Sequence, residues 1–197
     1  MAGAVEHIEH AEHAEHAAHS NKNIALLISV IALCLAFSET LGKSAQTAAI
    51  SDNVEASNLW AFFQAKTIRM TVLRTAADTR AIDSAAALDA AIKASMGKQI
   101  DTWKKIADRY DDEPETGEGR KQLAARAKEA EKKRDTAMAK YHHYEIASAA
   151  YQIGIVLCSA AIITSMMALA YIAGGLGVAG LIFTAIGLLA PNAVHLF

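Results

Sequence analysis

The residues best equipped for chemistry stand within the first twenty positions, where residues 6–19 read EHIEHAEHAEHAAH and His7, His10, His13, His16 and His19 recur every third place. Positions three apart are neighbours on a helix. His7 with His10, His13 with His16, or His16 with His19 could therefore offer paired imidazole nitrogens to zinc, nickel or copper, a carboxylate or a second chain completing the shell. The same spacing sets Glu6, Glu9, Glu12 and Glu15 one turn ahead of His10, His13, His16 and His19. A carboxylate so placed favours imidazolium, so the ladder could also work as a pH-dependent switch. The plainer reading is a solvated, helix-prone leader of low complexity.

A second candidate is Glu39, which directly follows an apolar run. Carboxylates inside membrane spans are often functional, and Glu39 could ligate an ion. At the edge of its segment, one turn before Lys43, it could equally be an interfacial residue in the favourable Glu-before-Lys order. No phosphate-binding glycine loop, CxxC pair or Gly-x-Ser-x-Gly elbow occurs in the chain, so no catalytic residue is expected and the protein is read as a non-enzyme. His142 and His143 are adjacent, about 100° apart on a helix, and cannot both chelate one ion from it. Asn192 and His195 follow Pro191 near the chain end and need no role beyond leaving the bilayer. Arg120, Lys121, Arg126, Lys128, Lys132, Lys133 and Arg134 are interleaved with Glu129, Glu131 and Asp135. That mixture describes a solvated helix face rather than a nucleic-acid surface.

The elements that must carry these residues are helices. In 197 residues there are only two prolines and eleven glycines, 53% of the residues are hydrophobic, and the net charge is −2. Cys34 and Cys158 both lie in apolar runs and form no disulfide framework. Residues 146–197 contain no Asp, Glu, Lys or Arg. This run is about twice the ~20 residues needed for one crossing, and the stretch Ala173-Gly174-Gly175-Leu176-Gly177 predicts a reversal that makes it a transmembrane hairpin. Residues 24–41 predict a further span of roughly 27 Å, retained as an anchor rather than removed as a leader. Lys43, Lys132, Lys133, Arg134 and Lys140 border the central region, against Lys22 alone before the first span. The positive-inside rule then places the centre in the cytoplasm and the N-terminus outside.

Between the spans, Asp111-Asp112-Glu113-Pro114-Glu115-Thr116-Gly117-Glu118-Gly119 is the clear loop. Residues 120–145 predict one arm of a helical hairpin, about 39 Å long. A break near residues 78–84, where Asp78, Thr79, Asp83 and Ser84 could cap a helix, yields a matched arm at 84–109. Leu88, Ile92, Met96, Ile100, Trp103, Ile106 and Tyr110 form its apolar stripe, to be met by Leu123, Ala127, Ala130, Ala137, Tyr141 and Tyr144. Such a thin interface predicts further copies packing alongside, a homo-oligomer. A segment leaving and re-entering the bilayer at one face needs an even number of upright arms, so residues 44–77 are expected to lie along the membrane. Trp60, Phe62, Phe63, Lys66 and Arg69 suit that interfacial role. The alternative is a core stripe of Leu59, Phe62, Phe63, Met70 and Leu73.

The chain thus divides into a His/Glu-rich tail (1–23), a first span (24–41), an amphipathic or interfacial segment (42–83), a coiled-coil-like hairpin (84–145, loop 110–119) and a transmembrane hairpin (146–197). The expected class is all-α, with three transmembrane helices and a cytoplasmic antiparallel hairpin. Glu55-Ala56-Ser57-Asn58-Leu59-Trp60-Ala61-Phe62-Phe63-Gln64-Ala65-Lys66, together with the His-rich tail, the ALLISV segment, Gly42-Lys43-Ser44-Ala45-Gln46-Thr47 and the closing apolar hairpin, resembles the bacterial membrane family known as domain of unknown function 4337. The resemblance runs over nearly the whole chain and implies an integral protein of the bacterial inner membrane; it implies no reaction, substrate or catalytic residue. The function expected is a homo-oligomeric scaffold or membrane-organising protein in contact with lipids, with other protein partners unknown. The alternative is an ion-conducting or metal-handling protein using the histidine ladder or Glu39.

Overall fold

The computed structural model describes the backbone of residues 2–193 and the side chains of residues 22–193. The five tail histidines, as side chains, and His195 lie outside the described residues. The chain is all-helical: α1 (Ala2–Ala86), α2 (Ala90–Asp111), α3 (Arg120–Thr164) and α4 (Met167–Leu189), with no strand among the described residues. Three stretches, within α1, α3 and α4, are long and apolar enough to cross a membrane. Two compact units divide the chain, one built from Met1–Ala48 with Thr136–Phe197, the other from Ala49–Asp135.

The first unit packs α3 against α1 and against α4. Its core is made largely of small side chains, Ala147, Cys158, Ala161, Ala170 and Ala173, around Ile24, Ile31 and Tyr151. Small residues let helices approach closely where lipid removes the hydrophobic drive for association. A buried Ser38 Oγ donates to the Tyr144 carbonyl at 3.0 Å, and the Tyr151 hydroxyl lies 3.3 Å from that of Thr184. Outward-facing Leu26, Val30, Phe37, Ile163, Ile172 and Leu189 are exposed, as suits a lipid surround.

The reversal expected at 173–177 is not there. Helix α4 runs straight through Gly174, Gly175 and Gly177, and the chain turns instead at Ser165, whose φ of 57° is left-handed, and Met166. Gly174 and Gly175 meet nothing within 4 Å, and it is glycines further along α4 that serve packing: a Cβ on Gly180 would stand 2.5 Å from the Tyr151 ring, and one on Gly187 2.8 Å from that of Tyr144.

In the second unit the helix break lies at residues 87–89, not 78–84. Asp89 is the residue that caps, its carboxylate accepting from the Ala91 and Ile92 amides at 2.7 and 3.2 Å. The expected capping groups are engaged within α1: Thr79 donates to the Thr75 carbonyl, Asp83 faces Arg80, and Ser84 is buried. Residues 44–77 are therefore a continuous part of α1 rather than a separate interfacial helix.

The pairing differs too. Arg80 meets Gln99, Arg74 meets Asp108, Trp60 meets Glu131 and Asn53 meets Arg134, so α2 and the start of α3 each run antiparallel to α1. They consequently run in the same sense as each other, and the acidic loop is an in-line break rather than the turn of a hairpin. Leu123, Ala127 and Ala130 are buried, but against Ala56 and Leu59 of α1, with Trp60 and Phe63 beside them. Of the α2 stripe, Ile100 is buried, Met96, Trp103, Ile106 and Tyr110 are half-buried, and Leu88 and Ile92 are exposed.

Candidate functional site around Lys66

The apolar string on α1 carries one cation, Lys66, and the acidic loop folds back onto it. The loop is shaped by its own polar groups. Gln122 accepts the Glu113 amide at 3.2 Å and donates to Asp112 at 2.6 Å, while Thr116 accepts the Glu118 amide at 3.2 Å. Gly117 adopts φ 70°, and a Cβ on Gly119 would fall 2.4 Å from the Glu113 nitrogen, so both glycines are required by the turn.

This geometry brings the Lys66 ammonium, with its side chain 7% exposed, to 4.0 Å from Glu113 and 3.7 Å from Glu118. The Phe62 and Tyr110 rings stand 5.3 and 5.1 Å from it. Beside it, the Arg120 guanidinium lies 4.9 Å from the Phe63 ring and donates to Asp111 at 3.0 Å. Trp60 packs edge-on to Phe63 and donates its indole N–H to Glu131 at 2.9 Å.

The surrounding charges are matched. A hydrogen bond from Arg109 holds the Glu113 carboxyl below its ordinary range, against the opposing effect of burial. Bonds from Gln122 and Lys121 do the same for Asp112, and Asp112 in turn raises Lys121. Four cations, Lys66, Arg109, Arg120 and Lys121, thus face four anions, Asp111, Asp112, Glu113 and Glu118. An ammonium clasped between carboxylates is no nucleophile, and a carboxylate committed to a guanidinium is a poor base. What the cluster does chemically is fasten the loop to α1.

Residues 20–190 match a known family, described as a domain of unknown function. The chain belongs to that family, DUF4337. Both halves of the Lys66 clasp, the aromatic string and the acidic loop, lie inside the matched DUF4337 span. No curated protein and no solved structure matches the chain significantly.

Of the residues considered for a membrane interface, Lys66 is buried and Trp60 and Phe63 are half-buried; Phe62 and Arg69 are exposed. Of the core-stripe alternative, Leu59 and Met70 are buried and Phe63 and Leu73 half-buried, while Phe62 is exposed. Glu39 is exposed and accepts from the Gln152 amide at 3.2 Å. His142 and His143 diverge, the first toward Glu145 at 3.6 Å, the second buried with Nε2 3.1 Å from the Pro191 carbonyl. A carbonyl only accepts, so Nε2 of His143 carries the proton; its Nδ1 is buried with no hydrogen-bond partner. Among the described residues no group of three or more His, Cys, Asp or Glu side chains is placed to hold a metal ion.

The sequence reading missed Glu113 and Glu118 as partners of Lys66, and Asp111 and Phe63 as partners of Arg120. The available signal was a lone lysine inside an apolar string facing a chain with one dense acidic loop.

Proposed function

We propose that the protein is a non-enzymatic, homo-oligomeric scaffold of the bacterial inner membrane. Its apolar stretches anchor it, the N-terminus stands outside, and the region between the first and second spans organises the cytoplasmic face. The observation that carries this reading is the clasp around Lys66. Its charged groups are spent on one another, holding a loop to a long helix, which is the chemistry of a support and not of a reacting centre. The basic residues flanking the central region support the orientation.

A second reading, ion or metal handling, draws on the Glu39 contact with Gln152, a polar pair beside the apolar core. Reconstitution separates the two. Purified protein in liposomes is expected to give no ion flux above empty vesicles, with or without zinc, and particles in native-like lipid are expected to contain several copies. Robust selective flux would overturn the scaffold reading.

A further inference from the structure

We propose that the uncharged stripe on α1 from Ile50 to Ile82 is the surface on which a second copy of this chain docks, side by side and in parallel. This rests on the homo-oligomeric reading and names the interface it needs. The stripe is formed by Ile50, Val54, Ile68, Val72 and Ile82, which are 61%, 53%, 64%, 61% and 73% exposed. Ser57, Ala61, Thr75 and Thr79, all exposed, continue it between them.

The steps between successive members are three or four residues, with Gln64 and Ala65 at the one longer gap, so the stripe stays on one face for the whole length. Counted at about 100° per residue, it lies opposite the face that carries Ala56, Leu59, Met70 and Ala77, which α2 and α3 cover. Asp52, Glu55, Lys66, Arg69, Arg74, Asp78 and Arg80 all fall outside it. A helix with one solvated face concentrates charge there. Here the exposed stripe carries none, while charge falls on the flanks and, with Asp52, Lys66 and Arg74, on the side toward α2 and α3, the reverse of a helix whose outer face is solvated.

The dimensions fit a copy of the same helix. At 1.5 Å per residue the stripe is about 48 Å long, and at roughly 10 Å wide it covers on the order of 500 Å² per copy. Two facing stripes bury about 1,000 Å², the threshold for specific association. Copies anchored in one bilayer face each other at equal height, so Ile68 meets Ile68 and each stripe is its own complement. Confinement to the membrane also raises their effective concentration. Beside the stripe, Val72, Thr75 and Thr79 open onto a groove of about 520 Å³ walled by Trp103, with room for side chains of a facing helix.

The test is a photoreactive benzophenone amino acid placed singly at Ile68 and Thr75 on the stripe, at Glu55 and Lys104 off it, and at Ile163 in an apolar span. Irradiation is done on the full chain in membranes, and particle mass is measured in native-like lipid. Dimers crosslinked from Ile68 and Thr75 at least ten-fold above Glu55 and Lys104 are expected. The double substitution Ile68→Lys with Val72→Lys, at positions exposed in the single chain, should leave the melting of the unit unchanged and cut particles of more than one copy ten-fold. Multi-copy particles crosslinked only from Ile163 or from the controls would overturn the stripe while leaving the homo-oligomer standing. Stripe crosslinks whose mass is no multiple of this chain would overturn it in favour of a different partner. Single-copy particles without crosslinks would overturn both.

Discussion

Replacing Leu123 with alanine removes three carbons from a side chain that is 1% exposed, enclosed by Ala56, Leu59, Ala127 and Ala130 with Trp60 and Phe63 alongside. Loss of their transfer accounts for about 2.4 kcal/mol, at ~0.8 per methylene-sized group. Three of the four buried neighbours are alanines, which have no rotamer to swing into the gap. A residual void of about 40 Å³ then adds roughly 1 kcal/mol, at ~24 cal/mol per Å³. The expected loss is about 3 kcal/mol. Both tryptophans of the chain, Trp60 and Trp103, lie in the unit Ala49–Asp135, so intrinsic fluorescence follows the melting of that unit. At ~4–8 °C per kcal/mol for a unit of this size, Tm should fall by about 15 °C. Leu88→Ala, at a fully exposed leucine, serves as the control and should change stability by less than ~0.5 kcal/mol. A drop under about 4 °C for Leu123→Ala, or equal shifts for the two variants, would refute the packing of α3 on α1.

Lys66→Met keeps the apolar stem but removes the ammonium between Glu113 and Glu118; cleavage of the loop by a glutamate-specific protease should accelerate about ten-fold, and an unchanged rate would show that the clasp does not hold the loop. Glu113 and Asp112 are held below their ordinary values of 4.5 and 3.8, so their contribution is complete above those values and lost as pH falls through the lowered folded-state values. Hydrogen exchange of residues 112–119 should therefore rise in that acid window relative to intrinsic rates, more steeply at low salt because the partner cations Arg109 and Lys121 are exposed, and a flat profile would contradict the assignment. Gly180→Ala forces a Cβ against the Tyr151 ring at 2.5 Å and should cost about 1–3 kcal/mol in nanodiscs, whereas Gly174→Ala meets nothing within 4 Å. Equal thermal stability of the two variants by circular dichroism would argue against close contact of α3 and α4.

Composition and charge patterning alone determined that the chain is all-helical and that three stretches are long and apolar enough to cross a membrane, because few prolines and long charge-free runs leave the backbone no other economical form. They also placed the acidic loop, and the buried positions Ile100, Leu123, Ala127, Ala130 and Tyr144. Where one helix ends and which helix it meets were decided only in three dimensions. Four residues able to cap at 78–84 stayed inside α1, while Asp89, with the same carboxylate as Asp78 and Asp83, capped the start of α2. The glycines at 173–177 read as a turn because glycine permits one, yet they stay inside α4, Gly177 against Ile31 of α1 and Gly174 and Gly175 with no neighbour within 4 Å, while Gly180 and Gly187 further along admit the Tyr151 and Tyr144 rings of α3. Lys66 shows the same limit most sharply. Its place among aromatic residues was consistent with a membrane surface, and only the loop returning to it, some fifty positions later in the chain, supplied the carboxylates that draw it inside. Local sequence sets what each segment can become; partners distant along the chain select among those options, since burial and charge pairing are properties of what is brought together.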